Sequence, residues 1–75
     1  IHKKENNMQW RIEVIRYDGK CKKVVELDYY EAEAYTHDEH NNLILYNFEV
    51  DGTIQQNKVV KHYHAYNWIS ISPER

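Results

Sequence analysis

Cysteine, proline and glycine are nearly missing from these 75 residues, which hold one Cys, one Pro and two Gly. A lone thiol, Cys21, closes no disulfide within the chain, so no covalent staple supports a fold this small, and the usage fits a reducing, cytoplasmic setting. The two glycines each follow an aspartate, in Asp18-Gly19 and Asp51-Gly52, and leave no Gly-rich loop to cradle a phosphate. Long apolar runs are lacking as well. Nothing approaches the roughly 18 residues of a membrane helix, and Ile1 to Asn7 carries basic residues without the apolar stretch of a secretory leader. A soluble protein of the cytoplasm is expected, the host's if a phage encodes it. Ile1 is an unusual initiator, which places the expected natural start upstream or at Met8.

Positive charge is absent from one whole stretch. Val24 to Asn57 contains no Lys or Arg, yet it holds Glu26, Asp28, Glu31, Glu33, Asp38, Glu39, Glu49 and Asp51. The net charge of −2 therefore conceals an acidic middle between basic ends. Segregation of this kind bears on partners and not on fold.

What is present reads as strands. Trp10, Ile12 and Val14 alternate with Arg11 and Glu13 up to Asp18-Gly19, a strong hairpin signal. A two-residue turn there sets Tyr17 opposite Lys20, and hence Val14 opposite Lys23, Ile12 opposite Val25 and Trp10 opposite Leu27 on an apolar face, with Arg11 meeting Glu26 and Ile15 meeting Lys22 on the other. Tyr29 to Thr36 mixes helix-favouring Glu and Ala with strand-favouring Tyr, and is read as a strand. The polar Thr36 to Asn42 and the strand-like Leu43 to Val50 then complete a second hairpin. Asp51-Gly52 is a further turn signal, Thr53 to Asn57 is polar, and Lys58 to His64 reads as a strand with Val59 and Tyr63 on one face and Val60 on the other. Ala65 to Asn67 breaks the pattern, Trp68 to Ile71 forms a last short strand, and Pro73 keeps Ser72 to Arg75 out of the sheet.

The expected fold is all-β: one small antiparallel domain over 1–75, built from hairpins into five or six strands, with 1–7 and 72–75 flexible. A half-open barrel of SH3-like or OB-like shape closes such a sheet, and a curved sheet that dimerises is the alternative.

Candidate chemistry is thin. His37, Asp38, Glu39 and His40 crowd one loop, and His62 and His64 stand two apart on a strand, a spacing that can chelate zinc or titrate near neutral pH. No Cys pair, zinc-finger spacing or helical His pair accompanies them, so loop and surface histidines are the expectation, with no metal or other cofactor. Cys21 beside Lys20, Lys22 and Lys23 has an environment that favours a thiolate, but no oriented base or pocket marks a nucleophile. No catalytic residue, and no enzyme, is expected.

Aromatics are plentiful, with seven Tyr, two Trp and one Phe, more than a core this small encloses. Tyr is a favoured contact residue at protein interfaces. The expected function is a non-enzymatic protein-binding module, of the inhibitor type, that presents Glu26, Asp28, Tyr29, Tyr30, Glu31, Glu33, Tyr35, Asp38 and Glu39 to a basic partner protein. Acidic strands of one copy meeting basic strands of another would give a homodimer by the same chemistry. The alternative is nucleic-acid binding through Arg11, Arg16, Lys20, Lys22, Lys23, Lys58 and Lys61 with Tyr stacking, which the net acidity disfavours. Two hairpins and a closing Trp68-Ile69-Ser70-Ile71 strand resemble in style the small accessory proteins of bacteria and their phages, which implies a phage or mobile-element binder.

Overall fold

The computed structural model describes residues 8–74, so the expectation for 1–7 lies outside the described residues. The protein is mostly β, and no α-helix occurs among the described residues. Strand β1 (Met8–Tyr17) is the centre of a first antiparallel sheet, flanked by β2 (Lys23–Ala32) and β6 (Trp68–Pro73). Strand β4 (Leu43–Asp51) is the centre of a second, flanked by β3 (Ala34–His37) and β5 (Ile54–Tyr63). Between β2 and β3 lies only Glu33, at a bend, so one continuous stretch of chain serves both sheets. The two ladders do not join into a closed barrel.

The core sits between the sheets. Trp10, Ile12 and Val14 project from the inner face of β1 and meet Leu43 and Leu45 of β4, Tyr63 of β5 and Ala32 at the end of β2. Trp10 stays in this apolar layer because its indole N–H donates to the Ala32 carbonyl at 3.0 Å, which satisfies its one polar atom. Trp68 is held in the same manner, donating to the Asn41 carbonyl at 2.9 Å while His37 stacks on it with ring centroids 5.1 Å apart.

The first hairpin departs from the expected register. Its loop is the five residues Asp18 to Lys22, so Tyr17 pairs with Lys23, Val14 with Glu26, Ile12 with Asp28 and Trp10 with Tyr30. The pairing is shifted by three residues, an odd number, and an odd shift turns a strand over. Val25 and Leu27 thereby leave the core face for the outer one, while Glu26 and Asp28 point inward.

Asp18 explains the wider loop. Its N–H donates to the Lys22 carbonyl, its carbonyl accepts from Cys21, and its Oδ1 accepts from the N–H groups of both Lys20 and Lys22. Cys21 takes the left-handed conformation that closes the loop (φ 61°) and is therefore a turn residue, not part of a strand. The same device recurs 20 residues on, where Asp38 accepts from His40 and Asn42 and Asn41 sits at φ 64°. An L-residue other than Asn or Asp is disfavoured in that region by about 1–2 kcal/mol. Cys21→Gly is accordingly expected to stabilise the protein by about 1 kcal/mol in urea unfolding, whereas the same change within a strand would destabilise it.

The remaining connections follow the sequence with three corrections. The Asp51-Gly52 signal marks a two-residue turn, with Gly52 at φ 66° and Asp51 paired to Ile54, but β5 begins at Ile54 and so includes most of the stretch read as polar loop. A bulge at Val60 pairs Tyr46 with Val59 and Leu45 with Lys61, which puts Val59 and Tyr63 on opposite faces. Pro73 lies within β6 opposite Trp10, and the next residue, Glu74, donates its N–H to the Gln9 carbonyl at 2.8 Å. Pro73 is tolerated because β6 is an edge strand and the missing N–H falls on its open side.

Candidate functional site

The acidic candidates do not share a surface. Asp28, on the inner face of β2, is clamped by both terminal nitrogens of Arg16 at 3.1 and 2.8 Å and by the Tyr63 hydroxyl, which donates at 2.7 Å. Arg16 also reaches Glu26 at 3.2 Å, and the Lys61 ammonium lies 5.5 and 5.2 Å from the ring centroids of Tyr30 and Tyr63. The Arg16 hydrogen bonds hold the Asp28 carboxyl below its usual range, with Tyr63 adding to the effect. Burial, then the neighbouring Asp28 carboxylate, pushes the Tyr63 hydroxyl up. Tyr63 comes from the second sheet and Asp28 from the first, so this cluster ties the sheets together.

Glu26, Asp28 and Tyr30 thus lie on the inner side of β2, with Glu26 still exposed at its edge beside Arg16, while Tyr29 and Glu31 alternate to the outer face. Glu33 occupies the bend, its N–H donating to Asn47 Oδ1 and its carboxylate accepting from the Phe48 N–H at 3.1 Å. Tyr35 packs edge-to-face on Trp10 with centroids 5.0 Å apart. Asp38 builds a turn, and the Asn42 side chain and backbone hold its carboxyl low. Glu39 stands exposed, 3.6 Å from His40.

Basic residues are equally scattered. Arg11 lies on the outer face of the first sheet, bonded to Ser72 at 3.4 Å and 4.0 Å from Glu74. Arg16 is bound to carboxylates, Lys20 and Lys22 are in the first turn, Lys23 opens β2, Lys58 is on the outlying part of β5, and Lys61 lies over two rings. The histidines also separate. His37 stacks on Trp68, His40 is in the Asp38 turn, His62 pairs with Ile44, and His64 lies beyond the end of β5. There its Nδ1 accepts from the Tyr66 N–H at 3.3 Å to cap the 3-10 turn Ala65–Asn67. Among the described residues no three His, Cys, Asp or Glu side chains are grouped to hold a metal ion. The depression lined by His40, Asn42, His64 and Tyr66 is open to solvent.

What the fold does gather is apolar surface. Among the described residues seven hydrophobic side chains are buried and thirteen large ones are exposed, so more apolar side chains are offered to partners than enclosed. On the outer face of the first sheet, Ile15 pairs with Val25, and Tyr17, Leu27 and Tyr29 stand on the same side in adjacent register positions. Arg11, Glu13, Lys23 and Glu31 share that face around them. On the outer face of the second sheet stand Ala34 and Thr36 from β3, Ile44, Tyr46, Phe48 and Val50 from β4, and Gln55, Asn57, Val59 and His62 from β5. Among the described residues that face contains no Asp, Glu, Lys or Arg, in a chain that is 29% charged. No protein-family model, curated protein or solved structure matches the chain.

Both faces escaped the sequence reading. The signal for the second was present in the alternation of Ile44, Tyr46, Phe48 and Val50, but Leu43 and Leu45 alternate just as well, and only one set is covered. The first depended on a register that the turn signal misplaced.

Proposed function

We propose that this chain is a non-enzymatic protein-binding module whose contact surface is the outer face of the first sheet. One observation carries the reading: Ile15, Tyr17, Val25, Leu27 and Tyr29 form a continuous apolar and tyrosyl patch, with Val25, Leu27 and Tyr29 all about half exposed, rimmed by Arg11, Glu13, Lys23 and Glu31. An apolar centre with Tyr anchors and a charged rim is the anatomy of a protein interface, where the centre supplies binding energy and the rim fixes orientation. Tyr29 and Glu31 of the acidic, tyrosine-rich set belong to this patch. Of the other acidic candidates, Asp28 is bound in the Arg16 cluster, Glu33 at its bend and Asp38 in its turn, while Glu26 and Glu39 are exposed away from the patch, so the partner is selected mainly by the apolar centre. A binder this small acts by covering its partner's surface, and inhibition is the simplest result of doing so. The dispersal of Arg and Lys gives no comparable support to a nucleic-acid interface, which needs a positive track along the backbone.

The test is affinity capture from cells expressing the chain, followed by titration of the captured protein against wild type and the double variant Val25→Lys, Leu27→Lys. Both side chains are exposed, so the fold is retained. Wild type is expected to bind 10- to 100-fold more tightly, in line with about 2 kcal/mol for an interface anchor. Equal affinity of the two proteins, or salt-sensitive binding to single- or double-stranded nucleic acid in place of a protein, would overturn the reading.

A further inference from the structure

Strand β5 is the last strand of its sheet, and among the described residues no strand pairs with its far side. An open edge presents a row of backbone N–H and C=O groups, and the chemistry that matches such a row along its length is another extended strand. The other strand edges among the described residues are blunted. Along β2 stand the charges of Lys23, Glu26, Asp28 and Glu31, β3 is four residues long, and β6 carries a bulge and Pro73. The free side of β4 beyond Tyr46 is capped where the Glu33 carboxylate accepts from the Phe48 N–H. On β5, by contrast, Ile54 to Val59 keep a regular ladder with β4, lie exposed, and include a single charge, Lys58. Along most of this stretch the second sheet narrows to an arm of two strands, because β3 ends its pairing at Tyr46, and a two-stranded ribbon is at best marginally stable in water.

We propose that two copies of this chain join β5 to β5, antiparallel about a two-fold axis normal to the sheet, so that the arm becomes four strands wide. The side chains along the edge select the occupant. A two-fold axis sets an edge against itself, and like charges directly opposite each other are destabilising, so a self-pairing edge needs side chains that pair with their own kind. Gln55, Gln56 and Asn57 do so, because a primary amide both donates and accepts. An axis normal to the sheet also leaves each face with itself, so only residues of one face oppose each other. With Gln56 at the axis, it meets its own copy, Gln55 meets Asn57 of the other chain, and Ile54 meets the aliphatic stem of Lys58. The two Lys58 residues then stand roughly 14 Å apart along the strands, beyond the reach of strong repulsion in physiological salt. Six residues give about 20 Å of edge, which buries far less than the roughly 800 Å² per partner of a standard interface, so association is expected at roughly 100 µM.

Sedimentation velocity and amide-resolved NMR of the whole chain, from about 10 to 500 µM, test this. Wild type is expected to move from its 9.2 kDa monomer mass toward twice that value, with concentration-dependent amide shifts concentrated in Ile54 to Val59. Gln56→Lys and Gln56→Glu, at an exposed position, each set like charges against each other at the axis and are each expected to weaken association at least tenfold. Their equimolar mixture is expected to associate at least as well as wild type, because the introduced ammonium then faces the introduced carboxylate. Damage to the fold of either variant would give no such recovery. The Val25→Lys, Leu27→Lys variant is expected to associate as wild type does, which separates this junction from the contact surface of the first sheet. A wild type that stays monomeric to 500 µM, shifts centred on another strand, or a mixture no better than its components would each overturn the β5 junction.

Discussion

Ile12→Ala is expected to lower the unfolding free energy by about 3 kcal/mol, while Leu27→Ala changes it by less than about 0.5 kcal/mol. Ile12 is fully covered at the middle of β1, between the strands of its own sheet and the inner face of the second, so truncation leaves a cavity that neighbouring strands cannot close without breaking their ladders. Leu27 is 49% exposed on the outer face. At about 4–8 °C per kcal/mol for a domain of this size, the first substitution shifts the thermal midpoint by some 12–24 °C and the second hardly at all. The pair also tests the register. Had a two-residue turn at Asp18-Gly19 set the pairing, Leu27 would sit opposite Trp10 in the core, and both truncations would cost about 2 kcal/mol or more. Matched urea denaturation of the two variants decides between them.

Asp28→Ala is expected to have the next largest effect, about 2–3 kcal/mol at pH 7, because it removes the acceptor of two charge-assisted bonds from Arg16 and leaves the half-covered Tyr63 hydroxyl without its partner. The effect depends on pH. The folded-state pKa of Asp28 lies below its unfolded value of about 3.9, so its stabilisation is fully present above that value and disappears as pH falls through the folded pKa. Wild type and variant should therefore differ most well above the unfolded carboxyl pKa, and the difference should shrink as the pH falls through the lowered folded-state pKa of Asp28. Tyr63→Phe, which keeps the ring in the core and deletes only the hydroxyl, is expected to cost about 1 kcal/mol and to raise the Asp28 pKa, visible in the carboxyl carbon shift on titration. An acid limb of the same size in the Asp28→Ala protein would sink the assignment.

Several features were legible in the residues alone. Trp10, Ile12 and Val14 announce the inner face of β1, Gly52 lies at the turn it signals, and the Tyr29 to Thr36 stretch is extended despite its Glu and Ala content. The failures have identifiable causes. A two-residue turn at Asp18-Gly19 is the local preference, yet the loop uses Cys21 in the left-handed region. The register obtained in return places Asp28 where Arg16 and Tyr63, from two different sheets, can both reach it. No local pattern reports a contact between residues 35 apart. Asp38 illustrates a second limit: among histidines it reads as a ligand, but its carboxylate is consumed by the backbone of its own turn. The bulge at Val60 is a third, because one unpaired residue reverses which side chains of β5 reach the core.

The pairing of β1 with β6 also sets a schedule. Residue 10 lies beside residue 73, so during synthesis the central strand of the first sheet keeps one edge unpaired until nearly all of the described chain has left the ribosome. Trp10 and Ile12, the largest side chains of that strand's core face, wait through the same interval with Ile71 not yet made. The hairpin β1–β2 and the arm β4–β5 can form from neighbouring residues within microseconds, but the union of first and last strands is the slow closure that completes the first sheet. A nascent chain halted before Trp68 would thus present its strongest adhesive edge to whatever else is being made nearby.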